Sequence, residues 1–409
     1  MINRTILSKI ELSVQSRPVT LITGARQVGQ STLAQLFIKK GFKYVSLDNS
    51  REREMAINDP RMFLEIHPWP LIIDEVQRAP QLFDAIEEVV NKEKITNPNN
   101  YGMYIITGSQ IYKLMNNVSQ SMAGRISIIH MSVLSRNEVI SRKEDIFDFN
   151  IKNIEKKAKA NPLPVNELYE TIVKGYYPEL YSNKLLIPEN FYSDYVETYI
   201  ERDVSEIINV KDKFAFRRFM ELLASLTGCE LVYDNIAKII GIDVKTIKSW
   251  ISILIAGDII YLLEPYFEYS ITKRIVKRPK IYFSDTGLAS YLAKINSAST
   301  LKASFLNGQF VETYIINELK KTYLNNNKKP NFYYYRDNNM NEIDLIIIED
   351  GKIHCVECKS GITYNISAVK SFKQIEQTQY SLSISAIICN TDSIYPLSED
   401  IFVIPIAGI

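Results

Sequence analysis

Cysteine, long apolar runs and any surplus of one charge are all scarce in this 409-residue sequence. Of four cysteines, Cys355 and Cys358 alone have the C-x-x-C spacing of metal or redox pairs. Residues 354–359 read as a strand, and three positions along a strand means opposite faces, so these are expected as buried thiols. The best apolar run, residues 251–263, is broken by Gly257 and Asp258, and residues 1–19 lack the continuous apolar stretch of a signal peptide. A cytoplasmic, unanchored chain with no membrane partner is the expectation. With 48 Lys and Arg against 47 Asp and Glu, no overall field draws the chain to nucleic acid, and any such site must be a local patch.

What is present is the composition of an ordinary globular protein, 46% hydrophobic and 23% charged. At about 100 to 200 residues per domain, two to four domains are expected. The patterns below divide the chain into three, with boundaries at 1–150, 151–300 and 301–409.

In the first region an apolar, β-branched run over residues 19–23 leads into Gly24-Ala25-Arg26-Gln27-Val28-Gly29-Gln30-Ser31-Thr32, after which Leu33, Leu36 and Phe37 show helical spacing. Strand, glycine loop and helix in this order make a phosphate cradle. The glycines let backbone N–H groups curl around phosphates, and the helix start adds partial positive charge. Ser31 is the expected Mg2+ ligand. Gln30 stands where G-x-x-x-x-G-K-[ST] has the lysine that reaches the β and γ phosphates. A second apolar strand runs from Trp69 to Asp74 and Glu75; Asp74 is expected to hold Mg2+ through water, and Glu75 to orient or deprotonate the attacking water. A third, ending at Thr107, Gly108, Ser109 and Gln110, offers Ser109 either as a γ-phosphate sensor or as part of a plain turn. Arg125, before an apolar run over residues 126–131, is either a stabiliser of transition-state charge, in cis or across a subunit boundary, or a surface salt bridge.

These segments resemble a prokaryotic branch of the AAA-type ATPases, whose members pair G-x-R-Q-V-G-K-[ST]-T with a strand ending I-I-D-E-V-Q. Residues 24–32, 72–77, 107–109 and Gly124 with Arg125 carry the likeness here. That branch has a C-terminal domain of unknown function, in which residues 199–204 and the Tyr282-to-Leu288 segment, with Asp285 and Gly287, also fit. The resemblance implies ATP or ADP and Mg2+ as ligands, and admits a homo-oligomer. Gln30 departs from it and bears on hydrolysis more than on binding.

A lysine-rich stretch over residues 152–164 reads as a boundary or lid insertion. Residues 235–240, a turn at Gly241, and residues 244–254 with Ile247, Ile251 and Leu254 on one face read as helix-turn-helix. Residues 259–264 and 280–283 read as wing strands, joined by a loop holding Lys273, Arg274, Lys277 and Arg278. This winged helix either grips DNA phosphates through those four residues or serves as a packing element.

From residue 305 the order is helix, strand, tight turn, strand, helix. It resembles the PD-(D/E)xK nuclease fold, with Glu312 on the helix, Asp344 on the first strand, and Glu357 and Lys359 on one face of the second. The resemblance implies that Glu312, Asp344 and Glu357 bind Mg2+ beside Lys359 as catalytic lysine. Cleavage, or binding of metal or nucleic acid alone, both remain open. The expected fold class is α/β throughout: a P-loop domain with a parallel sheet, a winged helix, and a nuclease-like domain. The expected function is an ATP-binding ATPase coupling nucleotide state to the later domains, with a DNA nuclease under ATP control, or a nucleotide switch on a protein partner, as rivals.

Overall fold

Short β-branched runs bounded by turns become strands, and in the computed structural model five of them pair side by side as a parallel sheet. The structure describes residues 2–108, 122–198, 212–266, 278–375 and 381–409. The strands are β1 (Val19–Gly24), β2 (Lys43–Ser46), β3 (Leu71–Asp74), β4 (Tyr104–Gly108) and β5 (Ile126–Met131), in the order β2-β3-β4-β1-β5. Alternation deals successive side chains to opposite faces. Leu21, Ile73 and Ile106 pack on one side under the Leu82–Thr96 helix, while Ile22, Ile72 and Ile105 face the rest of the molecule. Burial of both faces explains why these strands are apolar throughout. It also aligns their C-terminal ends along one edge, where Gly24, Asp74 and Thr107 gather.

Beyond β5 the chain forms a helical region and then the expected helix-turn-helix, over Tyr233–Ile240 and Val244–Ala256, with Gly241 in a left-handed conformation between them. Asp243 caps the second helix by accepting from the Thr246 amide at 2.9 Å. Strands β6 (Ile260–Leu263) and β7 (Lys280–Phe283) pair antiparallel, Ile260 opposite Phe283.

The last region wraps the Asn307–Leu324 helix against a mixed sheet of β8 (Phe332–Arg336), β9 (Glu342–Glu349), β10 (Lys352–Lys359), β11 (Ser381–Leu382), β12 (Ser385–Cys389), β13 (Tyr395–Pro396) and β14 (Ile401–Pro405). Cys355 and Cys358 are buried in separate apolar clusters on its two faces, as alternation requires.

The structure bears on two of the expected boundaries. Residues 152–164 are no lid: Ile151–Ala160 is a helix whose Ile154 and Ala158 are buried, and it packs on β14 and the Ile406–Gly408 turn at the far end of the chain. Lys152, Lys156 and Lys159 are exposed. Residue 300 falls inside the Ala298–Ala303 helix, which packs on both the Val165–Lys174 helix and the Asn307–Leu324 helix. One apolar cluster runs from Ile22 through Trp250 and Tyr282 to Leu345 and Ile409, so all three regions share a core.

Candidate nucleotide site and a carboxylate cluster

β1 delivers Gly24 to the sheet edge with φ +152°, and a Cβ there would collide with the Met131 carbonyl of β5. Only glycine fits. The loop then turns at Gly29 (φ +95°) into a short helix, Gln30–Ala34, continued as 3-10 turns to Lys40. Gln30 is buried, and its amide donates to the Gly24 carbonyl at 3.1 Å, bracing the loop across its own base. Ser31 Oγ donates to Asp74 Oδ1 at 2.7 Å, Tyr44 donates to Asp74 Oδ2 at 2.8 Å, and the Thr107 hydroxyl also donates to Asp74. The two residues expected around Mg2+ are therefore adjacent. Tyr44 and Thr107 hold the carboxylate in place.

Glu75 adopts a left-handed conformation, φ +60°, just beyond β3. The Gln77 amide donates to its carboxylate, and its own N–H donates to Thr107 Oγ1 at 3.4 Å. Burial pushes the Glu75 carboxyl above the usual range; the charges of Asp74 and Asp48 add to this and that of Arg26 opposes it. The loop residues from Arg26 to Leu33 and Glu75 line a cavity of about 490 Å3. Arg4, Met131 and Leu134 line it too, and Pro178, Glu179 and Ser182 of the helical region close it. Arg4 had no sequence signal. Its guanidinium is buried and donates to Glu138 Oε1 (3.1 Å), the Val28 carbonyl (2.8 Å) and the Ser132 carbonyl (2.6 Å), tying the loop to the exit of β5.

In the last region Glu312, Asp344, Glu357 and Lys359 do converge. Lys359 Nζ lies 2.5 Å from Glu357 Oε2 and 3.4 Å from Asp344 Oδ2, and the Cys358 amide donates to Asp344 at 2.9 Å. A lysine from β7, which the sequence reading did not include, enters the arrangement. Lys280 Nζ stands 3.0 Å from Glu312 Oε1, 2.6 Å from Glu342 Oε1 and 3.9 Å from Asp344 Oδ1. Among the described residues no group of three His, Cys, Asp or Glu side chains is arranged to hold a metal ion. The missed signal was alternation on β7: Lys280 and Tyr282 share a face, and Tyr282 OH also donates to Glu312, at 2.5 Å.

Comparison with known families bears on the loop, the strand-end carboxylates and the parallel sheet. Residues 16–140 match the model of an AAA domain. The first region is an AAA domain of the P-loop ATPase type. Residues 165–299 and 307–409 match two domains of unknown function, DUF8612 and DUF4143. Uncharacterized proteins of Mycobacterium tuberculosis and Mycobacterium bovis are each 24% identical over 404 residues, 98% of this chain and 83% of theirs. Among solved structures, a Walker-type ATPase of Pyrococcus abyssi is 13% identical, with a TM-score of 0.40 over 71% of this chain and 96% of that one. AMPPCP-bound DnaA from Aquifex aeolicus is 18% identical, with a TM-score of 0.29 over 60% of this chain and 84% of that one. Both likenesses are too loose to bear on activity.

Within the AAA domain Arg125 is at the wrong end for a role in cis. It precedes β5, whose register sets Ile126 beside Val19 and Met131 beside Gly24. A strand of that length, at about 3.3 Å per residue, puts Arg125 roughly 20 Å from the phosphate loop. It donates to Asn91 Oδ1 at 2.7 Å and pairs with Glu87 at 3.3 Å on the Leu82–Thr96 helix. Ser109 lies outside the described residues, as do Lys273, Arg274 and Lys277 of the basic loop. Arg278 is described and exposed, its carbonyl accepting from the Tyr334 hydroxyl. No described helix is long and apolar enough to cross a membrane.

Proposed function

We propose that the cavity beside the phosphate loop binds ATP with Mg2+, holds it with slow turnover, and passes its occupancy to the regions behind. The observation that carries this reading is the composition of the cavity wall: the phosphate loop from Arg26 onward and Glu75, together with Pro178, Glu179 and Ser182 of the following region. Ser31 and Asp74 suit magnesium, a hard cation that takes a hydroxyl and carboxylate oxygens. The metal would supply charge neutralisation at the phosphates.

Glu75 holds the proton-accepting carboxylate. A pKa above the ordinary carboxylate range makes it a stronger base than an exposed glutamate. Gln30 leaves out a full positive charge where charge develops during phosphoryl transfer, and the loss of one such group costs about 10^2 to 10^3 in rate. Binding relies instead on the backbone cradle and the helix start, which Gln30 leaves intact.

A route to the last region begins at the same wall. Lys321 of the Asn307–Leu324 helix donates to the Leu134 carbonyl at 2.9 Å, and Glu318 accepts from the Arg136 amide at 2.9 Å. Calorimetry with Mg-ATP and a phosphate-release assay test the reading. The wild type should bind nucleotide and turn it over slowly, and Gln30→Lys should raise turnover at least about tenfold. Glu75→Gln in that background should abolish the gain. Absence of nucleotide binding would refute the reading outright.

A further inference from the structure

Lys280 is a cation in a place where none was expected. Its side chain is only 3% exposed and its ammonium is shared among Glu312, Glu342 and Asp344. Lys359 meets the other oxygen of Asp344 and Oε2 of Glu357. Arg336 completes the set, 3.5 Å from Glu342 Oε2 and 3.4 Å from Glu230 Oε1. Glu312, Asp344 and Glu357 thus each have a lysine ammonium within 4 Å.

The position of Lys280 is imposed by backbone, not chosen by a floppy side chain. The Tyr334 amide of β8 donates to the Glu264 carbonyl at 3.1 Å, and the Tyr266 amide donates to the Tyr334 carbonyl at 2.7 Å. The Gly228 and Leu231 amides grip the Ile281 and Pro279 carbonyls, both at 2.7 Å. The first two bonds fasten the segment after β6 to β8, the last two hold β7 against residues 228–231, and β6–β7 pairing joins the two. A divalent ion bound by Glu312 and Asp344 would need their oxygens at about 2.0 to 2.6 Å, in the space the buried ammonium holds, and would face its charge at close range.

We propose that Lys280 is the resident cation of this cluster: its ammonium takes the place of a divalent metal. The cluster then works as an ion-pair clasp fastening the β6–β7 hairpin to the last region, not as a phosphodiester-cleaving centre. This is independent of the nucleotide reading, since neither residue set touches the other.

The test uses the full-length, nucleotide-free chain and two probes, Mn2+ followed by electron paramagnetic resonance and Tb3+ followed by tyrosine-sensitised luminescence. Tyr282, hydrogen-bonded to Glu312, supplies a donor beside the cluster. Wild type and Asp344→Asn should give the same Mn2+ isotherm and the same weak Tb3+ signal. Lys280→Ala should gain a site at least about tenfold tighter than any in the wild type, once a hard cation can reach the carboxylates, and adding Asp344→Asn should remove it. Lys280→Met, closer in volume, replaces Lys280→Ala if the latter does not fold. Asp344-dependent Mn2+ binding in the wild type overturns the proposal, as does a folded Lys280 variant that gains no site. So does Mg2+-dependent cleavage of labelled DNA by the wild type that Glu357→Gln abolishes. Should neither Lys280 variant fold, the comparison of wild type with Asp344→Asn still decides.

Discussion

Glu75 shows how a single carboxylate is tuned by its neighbours. Burial raises its pKa first, and Asp74 and Asp48 push in the same direction, while Arg26 pulls it back. A base must be deprotonated to act, so turnover in the Gln30→Lys background should fall as pH drops through the raised pKa of Glu75, at a pH above the ordinary carboxylate range. Arg26→Gln should move this acidic limb to higher pH, and Asp48→Asn to lower pH. A pH–rate profile of kcat for the three proteins checks both signs. A limb that stays at one pH in all three would show that another group controls it. The residue types at Gly24, Ser31, Asp74 and Glu75 were legible from spacing alone, because phosphate cradles need glycine, hydroxyl and carboxylate at particular offsets. Nothing in the spacing pointed to Arg4 or Tyr44. Their roles arise from contacts with residues far along the chain.

At the scale of elements, the segment from Tyr282 to Leu288 has a structural role. Asp285 is buried and caps the Thr286–Leu292 helix, its Oδ1 accepting from the Leu288 amide at 2.9 Å and from Tyr192 OH at 2.7 Å. Oδ2 accepts from the Tyr176 amide at 2.7 Å. Asp285→Ala would leave the buried Leu288 and Tyr176 amides without an acceptor, while Tyr192 OH keeps the Lys174 carbonyl at 2.9 Å. At about 1 to 3 kcal/mol for each, a loss of about 2 kcal/mol or more is expected in urea unfolding. A loss below about 1 kcal/mol would mean that the donors find water. Gly287→Ala should also destabilise, because its Cβ would collide with the Tyr192 hydroxyl and lie 2.7 Å from Gly175 Cα. The helix-turn-helix was legible here, since a turn glycine between two amphipathic runs is a local signal. The Ile151–Ala160 helix was misread from its lysines, because only two of its residues are buried and their partners come from the last strand of the chain.

Across the whole molecule the Asn307–Leu324 helix links the AAA domain to the final sheet. Lys321 and Glu318 pair with each other at 2.5 Å while holding the Leu134 carbonyl and the Arg136 amide. Deleting one partner alone would strand a buried charge, at about 3 to 5 kcal/mol, so the informative variant is the double change Lys321→Met with Glu318→Gln. It should keep nucleotide affinity within about threefold, equivalent to well under 1 kcal/mol. It should also lose the nucleotide-induced protection of β9 and β10 that hydrogen exchange is expected to show in the wild type. Equal protection in both proteins would remove this helix from the coupling route.

Local chemistry in the sequence was enough to determine the parallel-sheet P-loop domain, the residue types at Ser31 and Asp74, and the placement of Glu312, Asp344, Glu357 and Lys359 on helix and strands. Each depends on short-range periodicity or on spacing that a single loop or hairpin enforces. Tertiary structure alone decided the end of the sheet at which Arg125 stands, the closing of the cavity by Pro178 and Glu179, and the entry of Lys280 among the carboxylates. Such contacts join residues dozens to hundreds of positions apart, and their geometry follows from how sheets and helices stack, on which local sequence pattern carries no information.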